Sequence, residues 1–230
     1  MITYCDSATA TSDAALMNDP LPFDAKADHW ANFYRSGNAT APVYPSQFAA
    51  FAINELSDID GIVEFGCGNG RDSHFFASNG VPVLALDAAE TAIALCIARN
   101  QHRHARYVAN RASKARAEVE GFVAGKNRIA VYARFFLHAI DAKEQHAFLA
   151  MTRQAIPAGS VLLLEYRTTD DAAGDKVFGH DHYRRYLDHL GVLSAVTAAG
   201  FDVRYQIEGR GLAKYGNEDA MVGRCVAVKA

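Results

Sequence analysis

The sequence lacks the features that would settle its class quickly. Its four cysteines, Cys5, Cys67, Cys96 and Cys225, stand 62, 29 and 129 residues apart, with no CxxC pair among them. Neither a disulfide scaffold nor a zinc ribbon is written into that spacing. Lysine and arginine total 23 against 26 acidic residues, a formal net charge of -3, so no bulk positive field points to nucleic acid or an anionic membrane. No apolar run approaches a membrane span, and the first positive side chain is Lys26, so no basic stretch precedes an apolar one. The expectation is a reduced, cytoplasmic protein without an export signal or membrane insertion. Internal repeats and low-complexity tracts are missing as well.

What remains is ample for a core. Of the 230 residues 50% are hydrophobic and 21% charged, and a chain of this length buries roughly 70–75% of its unfolded surface. Residues 1–25 carry Asp6, Asp13, Asp19 and Asp24 and no basic residue, the composition of a poorly ordered arm. Removing that arm's -4 leaves -3 + 4 = +1 for residues 26–230, a nearly neutral single domain whose function must rest on particular residues.

From residue 61 onward β-rich runs at 61–65, 81–87, 105–109, 128–133, 160–166, 201–207 and 222–228 alternate with helical stretches at 72–78, 89–100, 112–124, 142–155 and 187–199. That alternation predicts an α/β fold, a mostly parallel sheet flanked by helices. Gly80, Gly159 and Gly200 stand where helices should stop. The last two strands have only a glycine-bearing stretch between them, so the sheet should end in an antiparallel hairpin. Residues 28–56, with Trp30, Tyr34 and the run Pro45-Ser46-Gln47-Phe48, precede the sheet and can form a helical lid.

The most informative segment is Ile62-Val63-Glu64-Phe65-Gly66-Cys67-Gly68-Asn69-Gly70-Arg71-Asp72-Ser73. A buried strand runs into a turn with glycine at every second position and then a helix opens, so backbone approaches a ligand closely and free N–H groups point at it. A dinucleotide site needs GxGxxG, but the third glycine comes one residue early and Arg71 takes its place. Twenty-one residues after Gly66 the second strand ends at Asp87, whose two acceptor oxygens suit the paired hydroxyls of a ribose. Asp87 can equally cap the helix that follows, and each glycine can be only a turn. Acid, glycine turn and second acid around one cleft favour a nucleoside site.

These residues resemble the class I S-adenosylmethionine-dependent methyltransferases, here small-molecule O-methyltransferases. Glu64-Phe65-Gly66-Cys67-Gly68-Asn69-Gly70-Arg71-Asp72-Ser73 looks like their motif I, and Val83-Leu84-Ala85-Leu86-Asp87 like motif II. The resemblance implies a Rossmann-like seven-stranded sheet ordered 3-2-1-4-5-7-6 with the last strand antiparallel, and S-adenosyl-L-methionine as cofactor. It further implies that Glu64, Gly66, Gly68, Gly70 and Asp72 line the cofactor and that Asp87 holds its ribose. Asn110 falls at the position near the adenine, although the common aspartate is missing there. Trp30 and Ser46 join the cofactor set through the lid, where Trp30 and Tyr34 can equally be core and Ser46 can equally be a helix cap.

Reacting groups in such sheets lie beyond the carboxyl ends of the strands. After strands four and five come Arg134 and Arg167, with Tyr132 and Tyr166 just before them and Tyr183 and Arg184 further on. Guanidinium forks suit a phosphate or carboxylate, or else these arginines pair with Glu165, Asp170 and Asp171 and hold loops. His138 is the candidate base, with a structural role as its alternative. His180 and His182 lack a third ligand of recognisable spacing, so no metal is expected. The sequence thus points to methyl transfer to an oxygen of a small, polar, anionic acceptor, with no nucleic-acid partner. A non-catalytic cofactor-binding regulator and a nicotinamide oxidoreductase are the rivals.

Overall fold

A computed structural model of the chain describes residues 42–172 and 185–230. The arm 1–25 and the earlier part of the lid, with Trp30 and Tyr34, lie outside the described residues, as do His180, His182, Tyr183 and Arg184. In chain order the elements are α1 (Gln47–Glu55), β1 (Gly61–Phe65), α2 (Arg71–Ser78), β2 (Val83–Asp87), α3 (Glu90–Arg99), β3 (Ala105–Ala109), α4 (Arg116–Val123), β4 (Ile129–Arg134), α5 (Ala142–Ala155), β5 (Val161–Arg167), α6 (His189–Ala198), β6 (Phe201–Gly209) and β7 (Val222–Lys229). The strands form one sheet in the order β3-β2-β1-β4-β5-β7-β6. Strands β1 to β5 pair in parallel, and β7 runs antiparallel to both of its neighbours. The Rossmann-like architecture and strand order expected from the sequence are therefore present.

Burial explains why the central strands form as they do. Strands β1 and β5 are buried along their whole length, as mostly apolar strands of a sheet covered on both faces are. One layer of side chains joins the sheet to α1, α2 and α3 through Phe48, Phe76, Ile93 and Tyr132. The opposite layer joins it to α4, α5 and α6 through Val119, Phe148, Val196 and Tyr166. Helix starts are fixed by side-chain caps: Ser46 accepts from the Ala49 amide at 3.0 Å, Asp141 from Glu144 at 2.7 Å and Asp188 from Gly191 at 2.7 Å.

Most boundaries fall within one or two residues of the sequence reading, and two of the differences have a clear local reason. Strand β2 begins at Val83 rather than at 81, because Pro82 has no N–H for the ladder and the Val81 amide turns back to the Phe76 carbonyl at 3.2 Å. The helix expected over 112–124 divides into a 3-10 turn, Ala112–Lys114, and α4, with the Ser113 amide held by Glu144 of α5 at 2.9 Å. Gly80, Gly159 and Gly200 all have left-handed φ, as helix and turn endings require. Among the described residues no helix is long and apolar enough to cross a membrane.

Helix α6 packs tightly over the β5–β7 pairing. A Cβ added to Gly223 would stand 2.5 Å from His189 Nδ1 and 2.8 Å from the Tyr166 ring. Gly223→Ala is predicted to destabilise the protein by about 1–3 kcal/mol through overpacking, read as a lower urea midpoint at unchanged slope. An unchanged midpoint would show that α6 shifts freely over the sheet.

Candidate active site

The strand order reverses between β1 and β4, and the loop 66–70 lies at that switch point. It leaves β1, passes through Gly66, Gly68 and Gly70, all with left-handed φ, and enters α2, whose N-cap is Gly70. Glycine is required at its two ends: a Cβ at Gly66 would stand 2.9 Å from the Phe136 ring, and one at Gly70 2.7 Å from Cys96 Sγ. The free amides expected from the sequence are not found at the glycines. Gly66 and Cys67 N–H both donate to the Leu86 carbonyl, at 2.8 and 3.1 Å, and Gly70 N–H to Cys67 O at 2.9 Å. Gly68 N–H donates to Asp87 Oδ2 at 2.9 Å. A pyrophosphate needs such amides free, so the loop is not built for a dinucleotide.

Asp87 ends β2 beside the loop. Its Oδ1 accepts from the Ala89 amide at 2.9 Å, so both oxygens take one backbone N–H and each retains lone pairs. Burial raises the Asp87 pKa, while the Ala89 and Gly68 amides oppose the rise. The two readings of Asp87 therefore coexist, since it braces the turn into α3 and still presents two acceptors. Asn110 reaches the same corner through its backbone, N–H to Asp87 O at 2.9 Å. Its side chain is tied to Glu118 at 3.0 Å and to the Arg111 amide at 2.8 Å.

On the other side of the loop, the buried Asp72 carboxylate gathers the lid, the loop and β4. Oδ1 accepts from the Ser46 amide at 2.7 Å, and Oδ2 from Ser46 Oγ at 2.8 Å and Tyr132 Oη at 2.9 Å. Arg71 Nε lies 3.8 Å from Oδ1. Ser46 is thus both the α1 cap and a ligand of Asp72. Tyr132, expected at the acceptor, is fully buried with its hydroxyl turned to the loop, and burial and then Asp72 push its pKa well up. Glu64 lies beneath, buried and hydrogen-bonded by Ser73 Oγ. Burial first, then the nearby Asp72 charge, raise its pKa well above the carboxylate range.

The strand tips answer the question left open for the arginines. Arg167 is buried between Asp171, at 2.6 Å, and Glu218, which makes it a loop-holding residue. Arg134 Nε donates to Glu165 Oε1 at 2.9 Å, and Arg224 Nε to Glu165 Oε2 at 2.8 Å. Between Arg134 and His138, Phe135 adopts a left-handed φ of 54°, with its ring centroid 4.0 Å from the Arg134 guanidinium and 5.2 Å from that of Arg167. Strain of this kind in a non-glycine residue persists where its surroundings enforce it. His138 is buried, and its Nδ1 accepts from the Arg167 amide at 3.2 Å. Tyr166 departs most from expectation. It lies on the opposite face of the sheet under α6, with its hydroxyl 2.9 Å from His189 Nδ1, so it does not join Tyr132 in one pocket.

A seven-stranded sheet of this order, with an acid after β2 and a glycine loop at the switch point, defines a class I S-adenosyl-L-methionine-dependent methyltransferase. The family model described as thiopurine S-methyltransferase matches residues 54–194, more than half of the chain, and the chain belongs to this family. No curated protein sequence matches it. Among solved structures it is similar to a SAM-dependent methyltransferase from Anabaena variabilis ATCC 29413, at 15% identity over 89% of this chain and 95% of that one, with TM-score 0.66. A TehB-like SAM-dependent methyltransferase from Corynebacterium glutamicum ATCC 13032 Kitasato is similar at 17% identity over 90% and 100%, TM-score 0.59. A glycopeptide N-methyltransferase solved with S-adenosyl-L-homocysteine is similar at 16% identity over 80% and 90%, TM-score 0.61. At these identities the likeness is one of fold. The cofactor of the family is S-adenosyl-L-methionine, and the donor set fits it: paired acceptors for ribose hydroxyls at Asp87, and a glycine loop without phosphate-binding amides at its glycines.

Glu64 gives a test of the site's electrostatics. Its folded pKa is raised, so between the unfolded value of about 4.3 and the folded one the native state holds a proton that the unfolded chain releases. Stability therefore falls as pH rises through that window. Glu64→Gln, which keeps the Ser73 hydrogen bond, is predicted to raise Tm at pH 7 and to lose that advantage near pH 4. A difference that does not vary with pH would mean that Glu64 is ionised in the fold.

Proposed function

We propose that this chain transfers the methyl group of S-adenosyl-L-methionine to an oxygen of a small, polar, anionic acceptor. The observation that carries the cofactor half of this reading is Asp87 at the tip of β2, with one oxygen fixed on Gly68 and both oxygens still able to accept. Gly66, Gly68 and Gly70 would leave room for the methionine part of the cofactor, with Glu64, Asp72 and Ser46 beneath and beside it. Asn110 would border the nucleoside end through its backbone. When bound, S-adenosyl-L-methionine supplies a methyl already activated on a sulfonium.

The protein's own residues have then to orient the acceptor and exclude water. Arg134 at the tip of β4 is the group for an anionic acceptor, because its guanidinium is braced by Glu165 and Phe135 and is therefore pre-aimed. An ionised oxygen needs no base, and His138, fixed by the Arg167 amide, then acts by shaping the pocket floor. Arg167 would serve by holding the 169–171 turn through Asp171 rather than by touching the acceptor.

Asp87→Ala is predicted to weaken S-adenosyl-L-methionine binding by about 10- to 100-fold in calorimetry, as charge-assisted hydrogen bonds to the ribose are lost. Undiminished affinity would overturn the ribose assignment. For the acceptor half, steady-state kinetics of S-adenosyl-L-homocysteine release should show Arg134→Lys raising KM or lowering kcat markedly while His138→Ala costs little. The reverse order, with His138→Ala losing about 10²–10⁴-fold in rate, would replace the anionic acceptor by a neutral hydroxyl.

A further inference from the structure

Between Glu90 and Glu118 the chain holds no acidic residue, while Arg99, Arg103, Arg106, Arg111, Lys114 and Arg116 give that stretch a charge of +6 in a protein of net charge -3. Neither the cofactor reading nor the acceptor reading uses these charges. The structure lays the middle of the stretch along a free edge of the sheet: it runs from the last turn of α3 into β3, and β3 pairs with β2 alone. Arg99 closes α3, where a basic side chain answers the carbonyl end of the helix dipole. Arg103 stands beyond the helix and has no such role.

A groove of about 390 Å³ opens here, lined by Ile97, Gln101, His102, Arg103, Ala105 and Tyr107, a volume within the roughly 300–1,000 Å³ of small-ligand sites. None of these residues is acidic. One wall is apolar. Ile97 is 52% exposed, and Tyr107 lies with Ala105 on the face of β3 that packs towards α3, its hydroxyl buried so that the ring meets the groove. The other wall donates. Arg103 Nε donates to His104 Nε2 at 3.0 Å, which orients the guanidinium and is its one hydrogen bond among the described residues. His102 Nδ1 accepts from the His104 amide at 3.2 Å, so the neutral ring carries its proton on Nε2. The Gln101 side-chain amide adds a further donor.

We propose that this groove is a second ligand site, for a small organic anion: a carboxylate or phosphate carried on a flat apolar body. The planar fork of Arg103 matches two oxygens of such a headgroup, and the body lies along Ile97 and the Tyr107 ring. A stretch without acids offers the headgroup no local repulsion. The site shares no residue with Asp87 or the tip of β4, so it stands apart from the methyl-transfer reading. Its nearest link to that reading is Tyr107, which also backs the glycine loop: a Cβ at Gly70 would stand 3.1 Å from Tyr107 Cε1.

Amide-detected NMR titration of the full chain with phenyl phosphate, benzoate and inorganic phosphate tests the site. The expected result is a set of shifts centred on residues 97–107, with a Kd of about 0.1–1 mM for the better organic anion, whose headgroup is thereby identified. Inorganic phosphate, which lacks the apolar body, binds about tenfold more weakly. Arg103→Gln, at an exposed position, weakens the organic anion by about tenfold or more. Ile97→Ser brings its affinity towards that of inorganic phosphate, and Arg134→Gln leaves it unchanged. Both groove variants bind S-adenosyl-L-homocysteine as the wild type does, so failure of the groove and failure of the methyltransferase reading are told apart. Shifts centred on residues 134–138 that vanish in Arg134→Gln put the anion in the acceptor pocket and overturn the groove site. Unchanged affinity in a folded Arg103→Gln protein overturns it too, as does inorganic phosphate binding as tightly as either organic anion, the behaviour of an adventitious ion only.

Discussion

A buried carboxylate with several donors organises this molecule. Asp72 stands in the first turn of α2, where the helix dipole favours an anion, yet a buried charge is tolerable only if it is fully hydrogen-bonded. The donors that meet this demand come from different parts of the chain: the amide and hydroxyl of Ser46 before α1 and the phenol of Tyr132 in β4. Satisfying one anion therefore fixes the lid helix, the end of the glycine loop and the central strand relative to one another. It also explains why a Ser46 that looks like a simple helix cap is buried, and why Tyr132 is unavailable to an acceptor.

A second shared carboxylate performs the same service at the strand tips. Glu165 on β5 joins Arg134 on β4 to Arg224 on β7, and Arg224 lies 5.1 Å from the ring centroids of both Phe48 and Phe51 in α1, within cation–π range. Arg167, 5.2 Å from the centroid of the same Phe135 ring that Arg134 meets, is closed off by Asp171 and Glu218. Two chemically equivalent arginines at successive strand ends thus have different fates. The one that meets two carboxylates is neutralised and structural. The one that shares a single carboxylate with another arginine keeps a positive character.

That distinction marks the limit of what the sequence shows. Gly66, Gly68, Gly70 and Asp87 are legible because the constraint is local: a strand, a turn with left-handed positions and a helix start occupy one short stretch. The sheet order is legible through the resemblance, and the strand boundaries to within one or two residues through alternation, with Pro82 moving the start of β2. The acceptor side is not legible in this way, because it depends on register between strands. Tyr132 stands opposite Leu163; Tyr166 is an odd number of residues further along β5 and so faces away. Arg134 stands opposite Glu165, which makes their pairing a consequence of registry that no spacing within the chain announces. Glu218, from the stretch before β7, reaches Arg167 across 51 residues, and nothing local marks it as a partner.

The closed hydrogen-bonding of the glycine loop sets the character of the whole site. Loops that bind phosphate leave their amides open, and their affinity comes from backbone dipoles. Here the glycine amides are engaged by Leu86, Asp87 and Cys67, so the loop is already in its final shape before any ligand arrives. Such a loop contributes space and rigidity, and little attraction. On the proposed reading, recognition comes from side chains at its borders, above all Asp87, whose two oxygens each take one backbone N–H and can still accept.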